Sequence, residues 1–251
     1  MTHIEVSVQD GIALLTLNRG VTNAVNLEMA LELGETLGVL KDDRQVSAIV
    51  VRSANDKFFM IGWDIPELLA LSRDEFVHFY RTFCQVSVDL YTMPKPTVAA
   101  ITGHATAGGC ILAFCCDFRY IAEGRTLMGL NEVKLGVPLP YPADCIVRSL
   151  TSDRAAREIV EMGEFHGPEQ MQRFGLVDDV VAPDEVLPRA IERAAALGAQ
   201  PAQGLARIKE DRVERVIAQI DANRDEKEKS FLDCWLSDEA QARIRGAAEK
   251  F

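Results

Sequence analysis

Ile101-Thr-Gly-His-Ala-Thr-Ala-Gly-Gly-Cys110 is the stretch on which the reading of this chain turns. Thr97-Val-Ala-Ala-Ile101, leading into it, is a short apolar run of buried-strand type. Cys110 to Cys116, leading out of it, is apolar throughout and predicts a buried helix. Ala107, Gly108 and Gly109 therefore open that helix. The first N–H groups of a helix have no internal partner and lie at the positive end of its dipole. A pair of them can hold a developing oxyanion. Glycines at such a junction can equally serve close packing alone, so the rest of the chain must decide.

Upstream, Ile4, Val6 and Val8 alternate, Asp10-Gly11 supplies a turn, and Ile12 to Leu17 follows, which predicts a β-hairpin. Asn26 is placed to cap a helix with Leu27, Ala30, Leu31, Leu33 and Leu37 near helical spacing. Ala48-Ile-Val-Val51 reads as a buried strand. Residues 74–92 read as a long helix with Phe76, Phe79, Tyr80, Phe83, Val86 and Leu90 inward, stopped by Pro94 and Pro96.

Downstream, Phe118 to Ala122 is a further strand. Strand-turn-helix units recur as far as a last short strand at Val177–Val181. Beyond Pro183 the pattern is only helical and increasingly charged, through Arg207–Ile220 and Asp221–Lys250. The fold class is α/β: an alternating core over residues 1–195 and a helical region over 196–251.

Two more segments break the ordinary patterns. In Phe58-Phe-Met-Ile-Gly-Trp-Asp64, a glycine between bulky residues suggests a tight turn with exposed N–H groups. In Gly129-Leu-Asn-Glu-Val-Lys-Leu-Gly-Val-Pro138, Glu132 lies between apolar stretches, flanked by Leu130 and Val133, instead of on a charged helix face. Most glutamates are solvated. One facing an apolar pocket would have a raised pKa suited to proton transfer.

The three segments, in this order, resemble the crotonase (enoyl-CoA hydratase/isomerase) superfamily. Leu17-Asn-Arg19 with Asn23-Ala-Val-Asn26 is similar to its opening. Gly62-Trp-Asp64, Ile101 to Gly109 with Cys116-Asp117, and Phe174-Gly-Leu-Val-Asp178 are similar to its later motifs. The resemblance implies a crotonase-type spiral of repeated ββα units with a C-terminal helical trimerisation region. It implies homotrimers or dimers of trimers, and an acyl-CoA substrate whose coenzyme A is part of the substrate, with no separate cofactor. It places the oxyanion-holding N–H groups at Ile61 and Gly108. Ala24, Met60, Gly62, Trp63, Asp64, Gly109, Ile111 and Asn131 are carried over as substrate-binding.

Hydratases of this family resemble one another in carrying two glutamates. Here the first position is Ile111, and only Glu132 remains. Water addition needs one group to activate water and another to manage the proton, and isoleucine does neither. The run 129–132 is similar to that of the Δ3,Δ2-enoyl-CoA isomerases, so a one-base double-bond shift is the reaction implied, with a hydratase, thioester hydrolase or decarboxylase on the same scaffold, or a non-catalytic acyl-CoA-binding member, as the alternatives. Asp144 is the candidate second carboxylate, against a charge at a helix start. His104 is expected to be structural, and Lys250-Phe251 is similar to a family ending that meets CoA phosphate.

Composition bounds the alternatives. Hydrophobic residues make up 48 % and the net charge is −11, which disfavours nucleic acid and anionic membranes. Six cysteines without C-x-x-C spacing suggest buried thiols, not a disulfide framework. His3, His78, His104 and His166 show no metal-ligand spacing, so no metal is expected. No secretory leader or spanning run is apparent, which points to the cytoplasm, or an organelle matrix for an imported form. No G-x-S-x-G elbow, Walker A loop or G-x-G-x-x-G run is present.

Overall fold

The computed structural model of the chain describes residues 3–249. The hairpin forms as expected: β1 (Ile4–Gln9) and β2 (Ile12–Leu17) pair antiparallel about Asp10-Gly11, both at positive φ. Helix α1 (Leu27–Asp42) follows, its first turn capped by the Asn26 side chain, which accepts from the Met29 N–H. Its inward stripe is Met29, Ala30, Leu33, Leu37 and Leu40; Leu31, counted among the helically spaced apolar positions, is exposed.

Next come β3 (Ala48–Ser53), β4 (Phe58–Met60), the short α2 (Ile65–Leu69) and the long α3 (Arg73–Tyr91). Helix α3 starts in a capping box between Ser72 and Glu75. Then come β5 (Thr97–Ile101), β6 (His104–Thr106) and α4 (Gly108–Cys115), followed by β7 (Phe118–Ala122) and β8 (Met128–Gly129). After β8 the chain makes a 3-10 turn at Glu132–Leu135 and continues as α5 (Tyr141–Leu150), α6 (Asp153–Glu161), β9 (Phe165–His166), α7 (Pro168–Arg173) and β10 (Asp179–Val181).

Two sheets result. The larger has the order β1-β2-β3-β5-β7-β10 and the smaller β4-β6-β8-β9. Each repeat sends one strand to each sheet: β3 and β4, β5 and β6, β7 and β8. Pairing from β2 through β10 in the large sheet is parallel. The resulting turns stack into a spiral, and the turn after each small-sheet strand lies beside the next.

Period-two alternation divides the large sheet. Ile49 and Val51 face the main core, whereas Ala48 and Val50 face a second cluster beneath α8 (Val186–Gly198). Helix α8 runs through residue 195, where the core was expected to give way, and buries Ala190 and Ala194 on the sheet. Beyond it lie α9 (Ala202–Trp235) and α10 (Asp238–Ala248). The break expected between Ile220 and Asp221 does not occur. No glycine or proline interrupts that stretch, and the true stop comes where the Ser237 side chain caps α10.

Helix α9 is tied to the spiral by Asp117. Burial alone would raise this carboxyl's pKa, but Lys209 and Arg212 hold it below the usual range. Lys209 Nζ donates to Asp117 Oδ2 at 2.7 Å, and Arg212 donates to the other oxygen. Five of the six free cysteines are buried. None of the helices among the described residues is long and apolar enough to cross a membrane. Lys250 and Phe251 lie outside the described residues.

Candidate active site

Helix α4 sets the geometry. Every one of its residues is buried. A Cβ on Gly109 would stand 2.0 Å from the Met60 carbonyl oxygen, so only glycine lets α4 come this close to β4. Met60, expected to bind substrate, is a fully buried part of that packing, as is Ile111. Ala107, just before the helix, has φ 47 and ψ −120 and makes no side-chain cap. A residue with a Cβ held there stores about 1–3 kcal/mol. Ala107→Gly is expected to raise the melting temperature by a few degrees, since relieved strain outweighs the glycine's extra unfolded-state entropy. A lower melting temperature in a thermal scan would refute the strain.

The Ile61 N–H is not available as an oxyanion donor. It donates to the Thr22 carbonyl at 3.1 Å, while the Ile61 carbonyl accepts from Thr106 Oγ1 at 3.0 Å. The free donor sits two residues further on. The Gly62 carbonyl accepts from the Val25 N–H at 2.7 Å, and the Asp64 N–H donates to the Val25 carbonyl at 2.9 Å. Trp63 lies between them, so its own N–H points away from Val25. It has no partner among the described residues. Gly62, at φ 110, makes this chain reversal possible. Trp63 adjoins Gly108: a Cβ on Gly108 would stand 3.2 Å from Trp63 Cδ1 and from Gly62 Cα. The Gly108 N–H, at the start of α4, likewise has no partner among the described residues.

Trp63, Gly108, Asn131 and Glu132 line one small cavity, together with the Ile61 side chain. Glu132 opens the 3-10 turn after β8, which pairs with β6 just before α4. That pairing brings the third segment against the second. Glu132 is the one acidic side chain among the described residues lining the cavity. The residue as a whole is half-buried, but its Oε2 is enclosed and has no hydrogen-bond partner. Burial pushes its carboxyl up from 4.5 to about 7, partly offset by its own backbone N–H.

The other expected site residues divide. Asp64 caps α2 through the Glu67 N–H and pairs with Arg19 at 2.7 Å. Arg19 also donates to the Ala24 carbonyl at 2.6 Å. Asp64 and Ala24 thus brace the first two motifs and do not line the cavity. Both Asp144 oxygens accept from Arg148 Nε at 3.0 Å. Asp144 lines an open outer cleft that Glu132 also borders, not the inner cavity. His104 Nδ1 accepts from the Leu127 N–H at 3.1 Å, a structural contact. Among the described residues no group of three His, Cys, Asp or Glu is placed to hold a metal.

Sequence reasoning missed the cavity's third wall. Phe231 and Trp235 of α9 line it. Their signal was present: two aromatics at i and i+4 at the end of a helix rich in charge.

A family model for enoyl-CoA hydratase/isomerase matches residues 7–250. The chain belongs to the enoyl-CoA hydratase/isomerase family. Enoyl-CoA delta isomerase 1 of mouse mitochondria is 28 % identical over 188 residues, 74 % of this chain and 65 % of that protein. The chain's match thus falls just short of two thirds of the mouse protein's length. A crotonyl-CoA hydratase from Syntrophomonas wolfei is 32 % identical over 187 residues, covering 74 % of this chain and 72 % of that one. The crystal structure of human mitochondrial Δ3,Δ2-enoyl-CoA isomerase superposes with a TM-score of 0.95 at 25 % identity, covering 99 % of this chain and 98 % of that one. The spiral and the C-terminal helices are therefore those of the family. Isomerases and hydratases both stand among these relatives, so the reaction must be argued from the site.

Proposed function

We propose that the chain is an enoyl-CoA isomerase that shifts a double bond from C3 to C2 with one base. The observation that carries this reading is the lone Glu132 carboxyl facing an apolar cavity, its Oε2 enclosed and without a partner. Glu132 removes a proton from C2. The C–H electron pair moves into the C1–C2 bond and the carbonyl pair onto the thioester oxygen, giving a dienolate in which the C3–C4 double bond is conjugated. When the carbonyl re-forms, the C1–C2 pair becomes the C2–C3 double bond and the C3–C4 pair takes the proton, so Glu132 returns the same proton to C4. No atom is gained or lost, and no cofactor is needed.

In this reading the thioester oxygen accepts from the Trp63 and Gly108 N–H groups. Negative charge grows on that oxygen as the proton leaves, so both bonds strengthen in the transition state. The apolar walls keep water from the dienolate and so disfavour hydration. Hydration would need a second acid–base group. Ile111 is buried in the core at the position hydratases use, and Asp144 is held by Arg148 outside the cavity. The helices beyond residue 196 would also carry the contacts of a homotrimer or dimer of trimers, as the family resemblance implies.

The test is product analysis with 3-butenoyl- and 3-hexenoyl-CoA as a function of pH. Expected are the 2-enoyl thioesters, with little 3-hydroxyacyl-CoA. The base must be ionised, so kcat/KM should climb about tenfold per pH unit up to about 7 and then level off. Predominant 3-hydroxyacyl-CoA would make the chain a hydratase. A profile flat from pH 5 to 8 would remove Glu132 from the base role.

A further inference from the structure

The cavity that Glu132 faces encloses about 100 Å³. An engineered apolar cavity of about 150 Å³ in another protein takes up benzene, so a space two thirds that size holds roughly four carbons. The thioester end and the base both border this space, so it must accommodate C1 to C4 of the acyl group before anything longer.

Its far end is closed by packed rings. Trp63 meets Phe231 at 5.9 Å and Trp235 at 5.7 Å between centroids. Behind them, Phe76 stacks on Trp235 at 4.3 Å and Tyr80 on Phe231 at 4.5 Å. Phe231 and Trp235 are 1 % and 3 % exposed. Rings held from both sides at interior density do not swing aside cheaply. The other way out passes Glu132 and Val137 into the outer cleft. Val133, Pro138, Leu139 and Val160 line that cleft together with Asp144, Arg148, Glu161, Lys227 and Glu239. The cleft is open to solvent, so an alkyl tail there would be covered on one side only and gain less from burial than in the inner cavity.

We propose that the Trp63–Phe231–Trp235 wall makes this enzyme selective for short acyl chains, with 3-butenoyl-CoA preferred and chains beyond about six carbons rejected. The inference rests on the isomerase reading of the same site. Trp235 and Phe231 are specificity residues in it and take no part in proton transfer.

The test is kcat/KM for 3-butenoyl-, 3-hexenoyl-, 3-octenoyl- and 3-dodecenoyl-CoA on the full chain. Forcing extra methylenes against a packed wall should lower the octenoyl value roughly tenfold or more below the butenoyl value, and the dodecenoyl value further. Trp235→Ala should raise the octenoyl-to-butenoyl ratio roughly tenfold. Phe231→Leu, a gentler change, should raise it in the same direction should Trp235→Ala not fold. Turnover of all four thioesters within about threefold would overturn the wall's role and leave the isomerase standing. If none of the four is isomerised but 2-enoyl thioesters are hydrated, the isomerase reading itself has failed and the proposal falls with it.

Discussion

Replacing Glu132 by glutamine should lower kcat by about 10²–10⁴, the span a positioned acid–base group usually contributes. Binding of a non-reacting acyl-CoA should change little, because the amide keeps the shape of the carboxyl and the donors at Trp63 and Gly108 are untouched. The same substitution should stabilise the fold above neutrality. Glu132 has its pKa raised to about 7 from an ordinary 4.5, so the fold prefers the protonated carboxyl. The stability due to that preference is complete below about pH 4.5 and is lost as pH rises through 7. At pH 8 the enclosed carboxylate costs on the order of 3 kcal/mol. Glutamine carries no such penalty. Thermal melts should therefore place Glu132→Gln several degrees above the parent at pH 8 and close to it at pH 4. A variant that is inactive and also less stable at pH 8 would mean that Glu132 is a structural partner, not a strained base.

Most of the scaffold could be read from local pattern, because its strands and helices are locally specified. The Asp10-Gly11 turn, the apolar strands at 48–51 and 97–101, and the aromatic stripe of α3 each follow from spacing of two or of three to four. Glu132 stood out because Leu130 and Val133 flank it in a segment without the charge pattern of a solvated helix face. Trp63 was read as lining the cavity, but its role as a backbone donor was hidden. Which N–H is left free depends on where Val25, far back in the chain, pairs with the Gly62–Asp64 segment. Nothing in residues 58–64 encodes that partner, and the family resemblance placed the donor at Ile61, whose N–H is spent on Thr22. The Phe231–Trp235 wall was hidden by its surroundings. On a 34-residue helix rich in charge, two aromatics are a small signal, and their partners on α3 lie far away in sequence. Local rules find elements and unusual residues; contacts made at long range decide which of those residues meet.

Gly108→Ala should lower kcat/KM towards the 10²–10³-fold loss typical of removing one oxyanion donor. The added Cβ would stand 3.2 Å from Gly62 Cα, 3.2 Å from Trp63 Cδ1 and 3.3 Å from Phe83 Cζ. None of these is the free end of a flexible chain, so the Gly62–Trp63 peptide must yield by a few tenths of an ångström. That peptide carries the second donor, and the hole is thereby widened from both sides. Overpacking of this kind costs about 1–3 kcal/mol, little enough for the variant to fold. The pH midpoint of the remaining activity should stay near 7, because Glu132 and its enclosure are unchanged. Gly34→Ala is the matched control. Its Cβ would meet only Val86 Cγ2, at an ordinary 3.6 Å, and alanine suits the middle of α1. It should keep full activity and melt slightly higher than the parent. If Gly108→Ala, which keeps the N–H at 108, turns over substrate within about threefold of the parent, then the added methyl has not displaced the donors and the predicted crowding of the Gly62–Trp63 peptide is refuted. A large loss accompanied by a shifted pH midpoint would instead mean that the crowding reached Glu132. The result that supports a two-donor hole is a loss in rate at constant midpoint, because only the donors and not the base have then been disturbed.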